Sequence, residues 1–227
     1  MRRDLLRPVL AVIGGAIVLG AVIGVAIYFG SSSSHSSKPA ELSGIPQKGV
    51  SLGSPTAKLT LVEFSDPQCP YCGDWARNVF PSLVQKYVRT GKLRMEYAGL
   101  SFLGNDSTSL LRLAQAAGLQ NKLWNVVELE FVRQGTENSG YATDAFIKGL
   151  VEAVPGLDVK KVLAAANTNA VQPMIDAAQI LAETSVGKQI ATPTFLLGRT
   201  GSKQTETIVG AQPLQTFVDA IDAQLKK

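Results

Sequence analysis

The 227-residue chain carries 22 basic and 18 acidic side chains, one histidine and two cysteines, for a formal net charge of +4. Three Arg and one Asp fall in the first 29 residues, so the remainder holds 19 basic and 17 acidic residues, an ordinary balance for a soluble domain. No basic cluster addresses nucleic acid, and one histidine with two cysteines falls short of the roughly four ligands of a structural zinc site.

Val9 to Phe29 is apolar or glycine without a charge. A run of about 20 such residues matches a bilayer core and exceeds the usual signal-peptide core of about 7–15. Arg2, Arg3 and Arg7 precede it, so the N-terminus is expected to stay cytoplasmic and the rest to be exported. The alternative is a long cleaved signal peptide, with small residues between Ala26 and Ser33 as a cleavage site. No cysteine follows the run until Cys69, which excludes a lipid-anchored form. The expected organisation is a cytoplasmic N-terminus and single transmembrane helix over 1–30, a flexible serine-rich linker over 31–48, and one compact domain over 49–227. Gly30 to Pro46 contains Ser31-Ser32-Ser33-Ser34 and little that packs, which suits a tether reaching about 20–25 Å on average.

The folded part starts with Lys58 to Ser65, a central strand by composition. Glu63 stands inside it, six residues before Cys69. A carboxylate in a core strand is costly unless paired or protonated. It is either a surface residue on an edge strand or a buried carboxyl beneath the second sulfur, moving protons on and off Cys72.

Asp66-Pro67-Gln68 turns the chain into Cys69-Pro70-Tyr71-Cys72, which holds the only two cysteines. Pro70 fits an early helical position, where its missing N–H has no partner to lose. Gly73 to Val88 reads as a helix kinked at Pro81. A strand feeding a helix that opens on C-x-x-C is the pattern of a redox-active dithiol. A purely structural disulfide is the alternative, but its loop is nearly the shortest possible, and crosslinks stabilise chiefly by closing long loops. Cys69 lies at the positive end of the helix macrodipole, which favours its thiolate. It is expected to be the exposed sulfur that partners attack, with Cys72 deeper and resolving.

Lys92 to Ala98 reads as a second strand. Helices follow near Asp106–Ala117, Lys122–Arg133, Thr143–Val154, Asp158–Asn167 and Val171–Val186, an insertion over about 105–187. Sheet signals resume over Ala191 to Leu197 and Gln204 to Val209, and Pro213 to Leu225 closes the chain as an amphipathic helix. Pro193 opening a strand cannot supply a ladder hydrogen bond. It is either a trans proline at a strand edge or part of a cis Thr192–Pro193 bond, which would turn the Thr192 backbone toward an extended substrate.

With Glu63, the Cys-Pro-Tyr-Cys motif and Thr192-Pro193 in this order, the chain resembles the DsbA-like thiol-disulfide oxidoreductases, in their membrane-anchored form, over about Gly49 to Lys227. The resemblance implies an α/β thioredoxin-like fold with an inserted helical subdomain. Its site maps onto Glu63, Cys69 and Cys72 for chemistry and Pro70, Tyr71, Thr192 and Pro193 for substrate. It implies no cofactor beyond the Cys69–Cys72 disulfide. The implied partners are exported thiol-containing proteins and a quinone-linked membrane oxidase for recycling. The best-known oxidases of the family have histidine where Tyr71 stands, and losing that cation leaves the Cys69 thiolate less stabilised. Alternatives are a reductase or isomerase using the same residues, or a non-catalytic thioredoxin-like binding module.

Overall fold

Two faces of one strand organise the domain. In the computed structural model, which describes residues 38–227, Leu59–Ser65 forms strand β3 and every residue in it is buried. A strand turns successive side chains to opposite faces. Leu59 and Leu61 therefore enter one core with Trp75, Phe80, Met95 and Phe195. Val62 and Phe64 enter a second with Ala98, Ala178 and Ala182. Leu93–Gly99 (β4) pairs parallel to β3 on one edge, and Thr194–Arg199 (β5) antiparallel on the other. Glu206–Val209 (β6) extends the sheet beyond β5, and the short strands Gln47–Lys48 (β1) and Ser51–Leu52 (β2) extend it beyond β4. The resulting order is β1-β2-β4-β3-β5-β6.

Leaving β3, the chain forms α1 (Pro70–Asn78), breaks at Val79, resumes as the short α2 (Phe80–Leu83) and ends in a π-helical turn over Val84–Val88. The break precedes Pro81, which sits in the first turn of α2, where proline costs no hydrogen bond. Between β4 and β5 stands the expected helical insertion: α3 (Asn105–Gly118), α4 (Leu123–Val132), α5 (Asp144–Glu152), α6 (Val159–Ala166) and α7 (Gln172–Ser185). The Thr143 and Asp158 side chains cap α5 and α6 by accepting from the Phe146 and Lys161 N–H groups. The last helix of the insertion belongs to the sheet as well, because Ala178 and Ala182 of α7 close the second core. Helix α8 (Leu214–Leu225) covers the first face. There Phe217 meets Phe195 edge-on at 4.9 Å, and Phe195 meets Trp75 at 4.5 Å.

The N-terminal boundary departs from expectation. The anchor expected over 1–30 and the first part of the linker expected over 31–48 lie outside the described residues. Among the described residues no helix is long and apolar enough to cross a membrane. The second part of that linker is packed. Leu42 and Ile45 are buried, the Ala40 N–H donates to Glu128 Oε2 at 2.9 Å, and Arg89 donates to the Glu41 and Ser43 carbonyls. Two apolar side chains among serines and prolines are enough to anchor the strand once a groove on the domain receives them.

Leu42 supplies the test. In a tether its truncation would change stability by less than about 0.5 kcal/mol. Packed at 5% exposure, Leu42→Ala is expected to cost about 2 kcal/mol in urea unfolding.

Candidate active site

The alternation that fills the two cores also aims the chemistry. Glu63 and Ser65 share a face with Leu59 and Leu61, the face covered by α1. Glu63 therefore lies in a central strand, and at 1% exposure it is the buried carboxyl of the two readings. Neither of its oxygens has a hydrogen bond of ordinary geometry among the described residues. Desolvation pushes its pKa from 4.5 to about 8, and the Ser65 hydroxyl acts weakly the other way. That hydroxyl also acts on the Cys72 thiol, which places it between the carboxyl and the sulfur.

Cys69 is the N-cap of α1, with extended backbone (φ −64°, ψ 117°) and Pro70 in the first turn behind it. Both cysteines are free thiols. The Cys69 pKa falls from 9.0 to about 6, chiefly because the Cys72 thiol hydrogen-bonds to its sulfur. Burial opposes the shift, while the Thr192 side-chain hydroxyl and the N–H groups of Cys72 and Tyr71 reinforce it. No side-chain hydrogen bond of ordinary geometry closes the cap, so those N–H groups act on the sulfur electrostatically, as helix-start dipoles do. The Cys72 pKa rises well above 9.0, first through desolvation and then through Cys69. The two sulfurs thus differ in the expected sense, but the dominant cause is their mutual hydrogen bond.

The exposure of Cys69 needs correction. It is only 5% exposed and Cys72 is sealed. The Thr192 carbonyl accepts a hydrogen bond from Cys69 Sγ at 3.3 Å and covers it. This carbonyl favours the protonated thiol, so the donors around the sulfur are what prevail in the lowered pKa. The Thr192–Pro193 bond is cis, and Pro193 is buried where β5 begins. The residue that stands outward is Tyr71, at 68% exposure, with Phe102 at 51% on the neighbouring loop.

The expected turn Asp66-Pro67-Gln68 before Cys69 is held by partners from remote parts of the chain. Asp66 is buried, and its Oδ1 accepts from the Gln68 N–H and the Ser107 hydroxyl. Its Oδ2 accepts from the Phe102 and Leu103 N–H groups at 2.9 and 3.2 Å. The Gln68 amide donates to the Leu103 carbonyl and accepts from the Asn138 N–H at 2.7 Å. Gln134, just after α4, donates to the Pro67 and Cys69 carbonyls at 2.9 and 3.0 Å. A side chain on Gly73 would strike the Gln134 amide, so glycine after Cys72 admits this clamp. Asp66 could have been found as an acid ahead of a proline turn. Gln134 and Asn138 left no signal, because their partners are remote backbone groups. Trp75 is a core aromatic, buried against Phe195.

A helix start that carries two thiols of unequal acidity over a mixed central sheet is a thioredoxin-like arrangement. The family described as thioredoxin matches residues 46–222, and the chain belongs to it. Among curated relatives it is 29% identical over 114 residues to the probable disulfide bond formation protein D of Bacillus cereus, covering 49% of this chain and 53% of that one. The chain spans about half the length of the curated relatives it matches. Oxidised BdbD from Bacillus subtilis superposes with a TM-score of 0.69 at 18% identity, over 85% of this chain and 99% of that one. Wolbachia pipientis alpha-DsbA1 does so at 0.67 and 21%, over 82% and 94%. The fold is therefore DsbA-like, helical insertion included.

Cys72→Ala removes the strongest donor to Cys69, so the Cys69 pKa is expected to climb from about 6 toward the ordinary thiol value of about 8.5. Thiolate absorbance against pH reads the change directly.

Proposed function

We propose that this protein is an extracytoplasmic thiol-disulfide oxidoreductase that introduces disulfides into exported proteins through Cys69 and Cys72. The observation that carries the reading is the asymmetry of the two sulfurs: Cys69 is held toward thiolate, with a pKa of about 6, while Cys72 is held protonated. A stabilised reduced form makes the corresponding disulfide an oxidant. The relatives named disulfide bond formation protein and the apolar run over Val9 to Phe29 support the substrate and the compartment.

In the proposed cycle a substrate thiolate attacks Cys69 of the Cys69–Cys72 disulfide. A substrate–Cys69 bond forms, the Cys69–Cys72 bond breaks, and Cys72 leaves as a thiolate that takes a proton from Glu63 past Ser65. A second substrate thiolate then attacks the substrate's own sulfur. Its disulfide closes, and Cys69 departs as the thiolate that its surroundings stabilise. The substrate loses two electrons and the cysteine pair gains them. A quinone-linked membrane oxidase is the proposed acceptor that restores the disulfide. The cysteine pair is the whole redox group. Tyr71 and Pro70 beside the sulfurs, with the Thr192–Pro193 turn opposite, are the proposed contacts for an extended substrate.

A reducing role is the second reading, and Tyr71 favours it. A Cys69 pKa of about 6 lies between the values of about 3.5 for DsbA and about 7 for thioredoxin. A redox titration separates the two. The oxidase reading expects a potential clearly above thioredoxin's value of about −270 mV, together with recovery of a reduced, unfolded disulfide protein on adding oxidised enzyme. A potential at or below about −270 mV overturns it.

Glu63→Gln tests the proton donor and gives a second, independent signature. It is expected to slow mixed-disulfide formation by about 100-fold near neutral pH. Because the folded pKa of Glu63 is raised, its stability penalty is absent below pH 4.5 and complete above about pH 8. Glu63→Gln should therefore stabilise the fold by on the order of 4 kcal/mol at pH 8 and leave it unchanged below pH 4.5.

A further inference from the structure

We infer that the end of the sheet opposite the two cysteines is a docking surface for anionic phospholipid headgroups, built from Lys58, Lys92, Arg199 and Lys203. None of the thiol chemistry proposed above enters it.

The sheet register gathers these four cations. Strands β3 and β4 run parallel and start level, with Leu59 paired to Leu93, so Lys58 and Lys92 stand side by side at the two entrances. The Leu59 N–H donates to the Lys92 carbonyl at 3.3 Å. Strand β5 runs the other way, and its last residue, Arg199, is paired with Leu59. The Thr200 N–H then donates to the Lys58 carbonyl, and the Ser202 N–H to the Arg199 carbonyl, both at 3.1 Å. Lys203 follows in that turn. Adjacent strands lie about 4.8 Å apart, so Lys92, Lys58 and Arg199 share roughly 10 Å of sheet end. All four side chains belong to exposed residues. They come from three separate stretches of the chain, so no basic run marks them in the sequence.

Their charge is not spent inside the protein. No carboxylate forms an ion pair with any of the four among the described residues. Acids toward this end are engaged elsewhere. Glu206, paired with Leu197, accepts from the Gln224 amide at 3.0 Å. Asp222 accepts from the Tyr87 hydroxyl at 2.7 Å and faces Lys86 at 3.7 Å. Clustered like charges repel one another, and a partner of opposite sign relieves that repulsion.

The place where the chain enters the domain points to lipid as that partner. Arg89, in the loop that leads into β4, donates to the Glu41 and Ser43 carbonyls at 2.6 and 3.0 Å. The first described residues are therefore fastened beside the basic end. Phe29, the last residue of the apolar run expected to span a bilayer, is nine positions before Lys38, at most about 30 Å along an extended chain. A cation cluster held within that distance of a bilayer meets headgroups at high effective concentration. Anionic headgroups attract Lys and Arg only within about a Debye length, roughly 8 Å at physiological salt, so they favour direct contact with the sheet end. From Leu59 to Ser65 the central strand covers about 20 Å at about 3.3 Å per residue. A docked domain thus holds Cys69 on the side away from the bilayer, open to other proteins.

The test reconstitutes the full chain in vesicles of phosphatidylcholine alone or mixed with phosphatidylglycerol. It follows the acylation of each lysine by a membrane-impermeant amine reagent, read by mass spectrometry. Docking is expected to slow Lys58, Lys92 and Lys203 by at least about fivefold in the anionic vesicles, and the protection should vanish at high salt. Lys148 and Lys160, exposed on the insertion, should react alike in both kinds of vesicle. Arg199→Gln combined with Lys203→Gln should return Lys58 and Lys92 to the unprotected rate. If that double variant fails to fold, Lys203→Gln alone should return them part of the way. Equal rates for the three lysines in the two kinds of vesicle overturn the docking. Protection that survives high salt overturns it too, since charge would not then hold the contact. If soluble polyphosphate protects the three lysines and phosphatidylglycerol does not, the partner is another polyanion and the lipid assignment falls. Thiol-disulfide activity enters none of these readouts, so its absence leaves the docking standing, and failed docking leaves the proposed function standing.

Discussion

The proton that Cys72 keeps is the one that Cys69 leans on. Two thiols this close cannot both ionise, and their surroundings decide which does. Cys72 is sealed in the core beside Ser65, where a charge would be costly. It stays a thiol and donates to Cys69. The helix start then adds the smaller pull of its free N–H groups. The architecture behind the sulfurs serves this one bond. Helix α1 is pinned by Trp75 against Phe80, Phe195 and Phe217, and β3 delivers Ser65 and Glu63 underneath it. A shift of α1 outward would wet Cys72 and erase the asymmetry.

The helical insertion completes this arrangement from the other side. Asp66 ties the turn before Cys69 to the loop after β4 and to α3. Gln134 fastens the Pro67 and Cys69 carbonyls to the segment after α4, and the Arg77 guanidinium of α1 donates to the Phe131 carbonyl at 2.7 Å. These hydrogen bonds satisfy buried backbone groups that a tight turn would otherwise strand. They also make the position of Cys69 depend on the insertion, so the helices are part of the site's scaffold as well as a cover for the sheet.

What was legible in the sequence follows the range of the physics involved. The strands around Val62 and Met95 and all five inserted helices show in the chain because their period and punctuation are local. Glu63 and Thr192–Pro193 each left two readings open, and tertiary context chose between them: burial on both faces of β3 for the first, the cis bond for the second. The packed stretch from Ala40 to Lys48 was hidden because Leu42 and Ile45 are too few to make a pattern. Gln134 and Asn138 were hidden for a different reason. Their significance lies in partners at long sequence separation, and nothing in their own neighbourhood announces it. The near-burial of Cys69 was missed because its cover, the Thr192 carbonyl, arrives from 123 positions away.

Three buried glutamates under one domain would be a poor choice for stability alone, since each prefers water by a wide margin. They are not equivalent. Glu128 has its pKa pushed up to about 8 by desolvation, yet it accepts the Ala40 N–H at 2.9 Å and so fastens the N-terminal stretch to α4. Its burial has a structural return. Glu63 and Glu130 have no such bond among the described residues, and a leucine or glutamine at either place would satisfy the fold better. Groups that break the local rules of packing without a compensating contact are where function is expected to reside. Glu63 stands on the same side of the sheet as Cys72, with Ser65 between them. The proton that Glu63 holds out of water therefore sits behind the one sulfur that gains and loses a proton in the proposed cycle, which is where such a proton is useful.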